Sequence, residues 1–229
     1  MFNIDYKDIK DLNLKNLLLT HGLIIIKNST PTISDFESIA NSLGKCLVTD
    51  KHVVNENRTV QELSNTGLFG SNTVAWHNDW SYGRGNYYGT ILYNVKNAHL
   101  SPTWFCDMSK LPDRFYKKYE NEVGFYYPPT NLQNQCFTEK QLKILEKQKI
   151  SRKFVHTHHV TGEKVLYCSP GTIQNCNIDL SDIIEYTEEN SYCHKWEEND
   201  ILIWDNLKMM HKRNSFEGDR LLWRTQFVI

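Results

Sequence analysis

The 229-residue chain has a length that one domain with a sizeable core can fill, and residues 1–229 are expected to form a single unit. Its 26 lysines and arginines against 27 aspartates and glutamates leave a net charge near zero with no long single-sign run, which speaks against a nucleic-acid or anionic-membrane surface. The six cysteines (Cys46, Cys106, Cys136, Cys168, Cys176 and Cys193) show no C-x-x-C pair, and no stretch nears the ~20 apolar residues of a membrane span, so free thiols and a cytoplasmic location are expected.

In chain order, residues from about Asp5 to Leu19 carry a helical apolar pattern that closes at Gly22, with no signal-peptide core within it. "LIIIKN" then reads as a buried strand, and "TISDFESIANSLGK" as a helix with Ser34 and Glu37 spaced for a capping box. From about Cys46 to Thr73 the sequence is polar, weakly patterned and dotted with glycines, as in a lid or rim over a site. "VAWHNDWSYGRGNYYGTILYNV", from Val74, is rich in aromatic and β-branched residues and reads as a strand. In a strand His77 and Asp79 would project from one face.

"LSPTWFCDM" is a further short strand. "LPDRFYKKYENEV" and "FTEKQLKILEKQK" are helices, the second with Thr138 and Gln141 spaced for a capping box. "RKFVHTHHVTGEKVLYCSP" reads as a hairpin turning at Thr161 and Gly162, and "DLSDIIEYTEENS" as a short helix. "YCHKW", "DILIWD" and "RLLWRTQFVI" complete the strands. The pattern is α+β, mainly β, with a sandwich or barrel core into which Trp76, Trp80, Tyr82, Tyr87, Tyr88, Trp104 and Trp204 would mostly pack.

His77 and Asp79 alone are an ordinary polar pair in a chain with nine histidines. A second segment, "ILIWDNLKMMHKRNSFEGDRLLWRTQF", gives them partners. His211 follows a strand that stops at "WDN". The chain then turns at a glycine and returns with Arg220, Leu222 and Arg224 on one face, beside the outgoing strand of an antiparallel hairpin. Two histidines and one carboxylate with open positions form the facial triad of non-haem Fe(II) oxygenases. An arginine in the same cavity suits an organic-acid co-substrate, because it grips a carboxylate through two parallel hydrogen bonds. The rival cluster is "HTHH", where His156 and His158 share a strand face and His194 or Cys193 would have to complete a zinc site, with no carboxylate in the motif.

Together these segments resemble the 2-oxoglutarate-dependent dioxygenases of the TauD/TfdA (taurine dioxygenase) type. "WHNDWSY" is similar to that family's W-H-x-D-x-[ST]-[FY], "WDNLKMMH" to its W-D-N-x-x-x-x-H, and "RLLWRTQ" to its closing R-x-x-x-R strand. "RKFVHTHHVTGEKVLYCSPG" is similar to its H-P-x-x-R-x-H-P-x-T-G hairpin, and the order of motifs holds over most of the chain. The resemblance implies a double-stranded β-helix (jelly-roll) core with flanking helices and Fe(II) on His77, Asp79 and His211. It also implies 2-oxoglutarate as co-substrate with its far carboxylate on Arg224 and Thr103, and consumption of O2 with release of succinate and CO2. The departures are "LSPT" in place of "GGDT" before Thr103, and His156 and His159 where the hairpin motif has arginine and proline. Asp79 occupies the position that is a small residue in halogenating relatives, which favours oxygen-atom chemistry.

The substrate is expected to be a small polar metabolite, an amino acid or amine first and a sulfonate or other organic acid second. Asn72, Arg84, His156 and Arg220 are its candidate contacts. The chain is shorter than typical members, so the substrate cover is either reduced or completed by a homo-oligomeric partner. The readings from other classes are a non-catalytic jelly-roll binding protein and a metal-dependent cupin-like isomerase or hydrolase.

Overall fold

A computed structural model of the chain describes residues 1–67, 69–83, 88–128, 138–148, 150–174 and 177–229. The strands are β1 Phe2–Asp5, β2 Leu23–Lys27, β3 Lys45–Cys46, β4 Gln61–Ser64, β5 Val74–His77, β6 Tyr88–Lys96, β7 Thr103–Asp107 and β8 Val123–Tyr126. They continue as β9 Ile150–Lys153, β10 Val155–Thr157, β11 Lys164–Leu166, β12 Ile173–Gln174, β13 Tyr192–His194, β14 Ile201–Asp205, β15 Met209–Arg213 and β16 Leu221–Val228. The α-helices are α1 Leu14–His21, α2 Ile33–Leu43, α3 Asp113–Tyr119, α4 Glu139–Gln148 and α5 Ser181–Glu189.

Two sheets face each other across the core, as the jelly roll requires. The larger runs β1-β2-β14-β6-β16-β3 with β4 beside β16; the smaller runs β13-β7-β15-β5. Period-2 alternation assigns each strand's side chains to one face or the other. In the larger sheet Leu23, Ile25, Leu92, Leu202, Trp204 and Leu222 point between the sheets. Their neighbours Ile24, Ile26, Ile91, Ile201 and Ile203 pack under α1 and α2. In the smaller sheet Phe105 and Met209 point inward, while Cys106 and Met210 join the cluster under α3 and α5. The sheet is therefore buried on both faces, which explains unbroken apolar runs such as "LIII".

Several local expectations change. The first helix is shorter than its apolar pattern: Asp5 caps a 3-10 turn over Tyr6–Asp11, and α1 begins only at Leu14, where Asn13 Oδ1 accepts from the Asn16 amide at 3.0 Å. The capping box of α2 is Thr32 with Asp35, not Ser34 with Glu37. The stretch from Cys46 to Thr73 is not wholly irregular, since β4 pairs with β16 in the register Leu63↔Leu222 and Gln61↔Arg224. The single strand expected from Val74 is two, β5 and β6, in opposite sheets. His77 ends β5, and Asp79 lies in the turn beyond it, ahead of Trp80 at φ +56°. His211, which follows the strand that stops at "WDN", lies within a further strand, β15. The arginine strand β16 pairs with β6 rather than directly with β14. The chain passes from the large sheet (β14) to the small one (β15) and back (β16), so His211 and Arg224 face each other across the sandwich.

Candidate metal centre

Two strands and one turn bring His77, Asp79 and His211 together. His211 on β15 is the direct register partner of His77 on β5, with ring centroids 4.2 Å apart. Asp79 Oδ1 lies 3.4 Å from His77 Nε2 and 3.8 Å from His211 Nε2. One ligand atom from each residue falls within 4.8 Å of the others, and among the described residues no other such cluster of three exists. His77 Nδ1 is 2.8 Å from Ala75 O and His211 Nδ1 3.5 Å from Met209 O. A proton held there leaves both Nε2 lone pairs facing the carboxylate, as a metal requires.

The two oxygens of Asp79 are treated differently. Oδ2 receives Thr90 Oγ1 at 2.9 Å, Gln226 Nε2 at 3.2 Å and the Arg224 guanidinium at 3.1 Å, which leaves Oδ1 to the histidines. Burial alone would raise the Asp79 carboxyl, but the Arg224 charge and the His77 contact overcome it and hold the group well below the usual carboxylate range. Burial, with His77 close by, pushes His211 down to about 3, so its imidazole is neutral and able to ligate. A buried anion with one oxygen turned toward two Nε2 atoms fits a divalent iron.

The turn itself is fixed from below. Asn206, the last residue of "WDN", accepts the Asp79 amide at 2.8 Å and donates to Asp79 O at 2.8 Å, and Asn78 donates to Asn206 O at 2.8 Å. Asp205 is bonded to the fully buried His158 at 2.8 Å, tying the hairpin of β10 and β11 to the same turn. This answers the rival zinc reading: His158 is a structural partner, His156 packs on Tyr167, and His194 is bonded to Asp200 at 3.0 Å elsewhere.

Two cavities meet at the triad. The inner one, about 70 Å³, lies between the sheets and is bordered by Thr103, Arg213, Arg220, Arg224, Trp204 and three leucines. Arg220 is 5% exposed, and burial with the neighbouring Arg213 charge pushes it down to about 9. Among the described residues no carboxylate pairs with it. Its Nε reaches only Ala98 O, at 3.5 Å, and its guanidinium lies over Phe216. The buried Trp204 Nε1 has no acceptor either. Buried donors without acceptors are costly, so the cavity is built for an anionic or acceptor-rich ligand. The outer cavity, about 520 Å³, reaches from Asp79 and Arg224 past Phe69, Trp80 and Tyr82 to Lys51. Phe69 borders both, with its ring 5.5 Å from the Arg224 guanidinium carbon.

The other candidate contacts fare unevenly. Thr103, Arg220 and Arg224 all reach the inner cavity. Asn72 is exposed and His156 half-buried, and neither borders either of these two cavities. Arg84 lies outside the described residues. Sequence reasoning did not single out Thr90, Gln226, Asn206 or Arg213; for Gln226 the signal was present, two residues after Arg224 on one strand face. Cys46, Cys106, Cys168 and Cys193 carry free thiols, while Cys136 and Cys176 lie outside the described residues. Among those residues no helix is long and apolar enough to cross a membrane.

A jelly roll with a His-x-Asp…His triad and a basic pocket between its sheets defines a 2-oxoglutarate-dependent oxygenase. Residues 3–226 match the family described as taurine catabolism dioxygenase TauD, TfdA family, and the chain belongs to it. Enzymes of this family use Fe(II), 2-oxoglutarate and O2 on small-molecule substrates. Among solved structures, the chain is similar to a taurine dioxygenase from Burkholderia xenovorans, with TM-score 0.70 and 18% identity over 98% of this chain and 81% of that one. It is similar to AAD-2 in complex with Mn(II) and N-oxalylglycine, with TM-score 0.71 and 18% identity over 93% and 87%. A protein described as an alpha-ketoglutarate dependent 2,4-D dioxygenase from Burkholderia xenovorans aligns with TM-score 0.67 and 22% identity over 96% and 87%. No curated protein sequence matches the chain.

Proposed function

We propose that this oxygenase hydroxylates a C–H bond of a small organic acid, a carboxylate or sulfonate, and that its two key arginines divide the anionic ligands between them. The observation that carries this is the contrast between Arg220 and Arg224. Arg220 is buried without an acid partner beside Thr103, where it can take the far carboxylate of 2-oxoglutarate. Arg224, which the sequence suggests for that role, already holds Oδ2 of the metal ligand Asp79 at 3.1 Å and borders the outer cavity. Two methylenes separate the oxo-acid end of 2-oxoglutarate, which a metal on the triad would hold, from its far carboxylate, and this favours the arginine farther from the triad.

In this reading His77, Asp79 and His211 hold Fe(II), which when bound supplies the activation of O2 coupled to oxidative decarboxylation of 2-oxoglutarate. The protein's residues position the reactants. Thr90, Gln226 and Arg224 keep Asp79 Oδ2 occupied so that Oδ1 faces the histidines. Leu63, Leu92 and Leu222 sheathe the co-substrate's methylenes and keep water out of the inner cavity. The overall balance is one C–H bond and one molecule each of 2-oxoglutarate and O2 converted to alcohol, succinate and CO2.

The outer cavity supports an acid over an amine. Its cations are Arg224 and Lys51, whereas its acids are Asp79, a metal ligand, and Asp50, paired with Arg58. Among the described residues no carboxylate of that lining is left for an ammonium group, although Trp80 and Tyr82 offer aromatic faces. The test is a panel of carboxylates, sulfonates and amines of matched size, read by substrate-dependent succinate release and by product mass. Turnover confined to amines would overturn the assignment of Arg224 to substrate.

A further inference from the structure

Behind Thr103 lies a buried polar chain that the chemistry above does not use. Trp196, 3% exposed, donates its indole N–H to Thr103 Oγ1 at 3.0 Å. Among the described residues that is the only hydrogen bond of the hydroxyl, and its own hydrogen has no acceptor. Trp196 is in turn held by its surroundings. Its ring stands edge-on to His194 at 5.2 Å and 81°, and His194 is the register partner of Thr103 in the pairing of β13 with β7. His194 donates to Asp200 at 3.0 Å, and Asp200 also receives Lys27 Nζ at 3.0 Å and the Glu197 amide at 2.9 Å.

A hydroxyl has one hydrogen and two lone pairs. With one lone pair taken by the indole from the buried side, the O–H bond rotates away from that donor, and the inner cavity is the space on its other side. We infer that Trp196 is a positioning residue for co-substrate recognition: it fixes the Thr103 hydroxyl as a donor, so that the threonine meets an anion and never competes with it as an acceptor. The inference rests on the reading of Thr103 as a contact of the far carboxylate of 2-oxoglutarate. Accepting a bond also polarises the hydroxyl and strengthens the one it donates. The buried His194–Asp200 pair is thereby given a role at a distance, since it sets the plane of the tryptophan.

The test is calorimetric titration, without O2, of Mn(II)-loaded protein with 2-oxoglutarate and with 2-oxovalerate, which has the same chain length but no far carboxylate. Thr103→Val should weaken 2-oxoglutarate roughly tenfold or more, the worth of a hydrogen bond to a charged group, and leave 2-oxovalerate unchanged. Trp196→Phe should weaken 2-oxoglutarate by roughly three- to tenfold, less than loss of the bond itself, also without touching 2-oxovalerate. Added to Thr103→Val it should have no further effect. If Thr103→Val binds 2-oxoglutarate normally, the threonine contact falls and the inference with it. If Thr103→Val loses affinity but Trp196→Phe does not, or if both ligands weaken equally in Trp196→Phe, only the inference falls. Should Trp196→Phe not fold, the wild-type protein decides. The Trp196 indole proton should resonate downfield and shift both on Thr103→Val and on addition of 2-oxoglutarate, and a resonance unmoved by either overturns the relay.

Discussion

Replacing Arg220 with methionine keeps an unbranched stem and removes the guanidinium, so it separates the two consequences of burying this charge. Burial and the Arg213 charge push Arg220 from the ordinary arginine range down to about 9. At about 1.4 kcal/mol per unit, this corresponds to roughly 5 kcal/mol of unfavourable burial in the ligand-free protein. The folded value of this base lies below its unfolded value. The penalty is therefore fully present below about pH 9 and would ease only as the pH rises from there toward the ordinary arginine range. At neutral pH Arg220 stays charged, and an incoming carboxylate is what relieves the penalty. Two opposite effects follow for Arg220→Met. Loss of one side of a buried charge-assisted pair costs about 2–5 kcal/mol, so the Kd for 2-oxoglutarate should rise by roughly 30-fold to several thousand-fold. The metal-free, ligand-free protein should instead gain about 3–4 kcal/mol after the lost contact with Phe216 is discounted, or roughly 6–16 °C in Tm. Calorimetric titration of the Mn(II)-loaded protein reads the first effect and differential scanning calorimetry the second. A variant that melts lower than wild type and binds 2-oxoglutarate normally would refute the reasoning and return the clamp to Arg224.

Asp79→Ala should abolish substrate hydroxylation and weaken Fe(II) binding, because it removes the one anionic ligand and strands Arg224 without its partner; unchanged turnover would rule out the triad. Asn206→Leu removes both bonds to the Asp79 backbone, and its Fe(II) affinity, read by anaerobic titration, should fall by about 10- to 100-fold, as for other groups that hold metal ligands in place. Gly22→Ala should cost about 1–2 kcal/mol in chemical denaturation, chiefly from its left-handed backbone at φ +73°. The added Cβ meets only the flexible end of Met209, at 3.0 Å, so a loss far above that range would point to displacement of β15 instead.

The element types were legible because the forces that set them are local. The apolar runs of β2 and β14, the strand pattern of β16 and capping at α4 depend on neighbours within a few residues, and they appear in the structure where the sequence puts them. Exact caps were less legible, since Thr32 and Ser34 are equally good caps and only the placed backbone chooses between them. The triad was legible for a different reason. Its residues lie far apart in the chain, but each sits in a segment with its own signature, and the order of those segments could be compared with a known pattern. The geometry behind the triad was not legible. A strand face seemed to bring His77 and Asp79 together, whereas a turn does so, and the turn depends on Asn206, brought from across the fold by the end of β14.

The proposed division of labour between Arg220 and Arg224 lay beyond the sequence for the same reason. Both have the parity that faces the cavity, and both are arginines, so spacing alone makes them interchangeable. They are distinguished by what crosses the sandwich to meet them. Asp79 Oδ2, Gln226 and Thr90 gather near Arg224, while Arg220 shares its cavity with Thr103, lies over Phe216 and, among the described residues, forms no ion pair with a carboxylate. In a chain that passes from one sheet to the other and back, those neighbours are fixed by the crossing and not by the strand. An arginine already neutralised by an acid can steady a metal ligand and steer a substrate. One left buried and unneutralised is the better anchor for a ligand that arrives with its own negative charge.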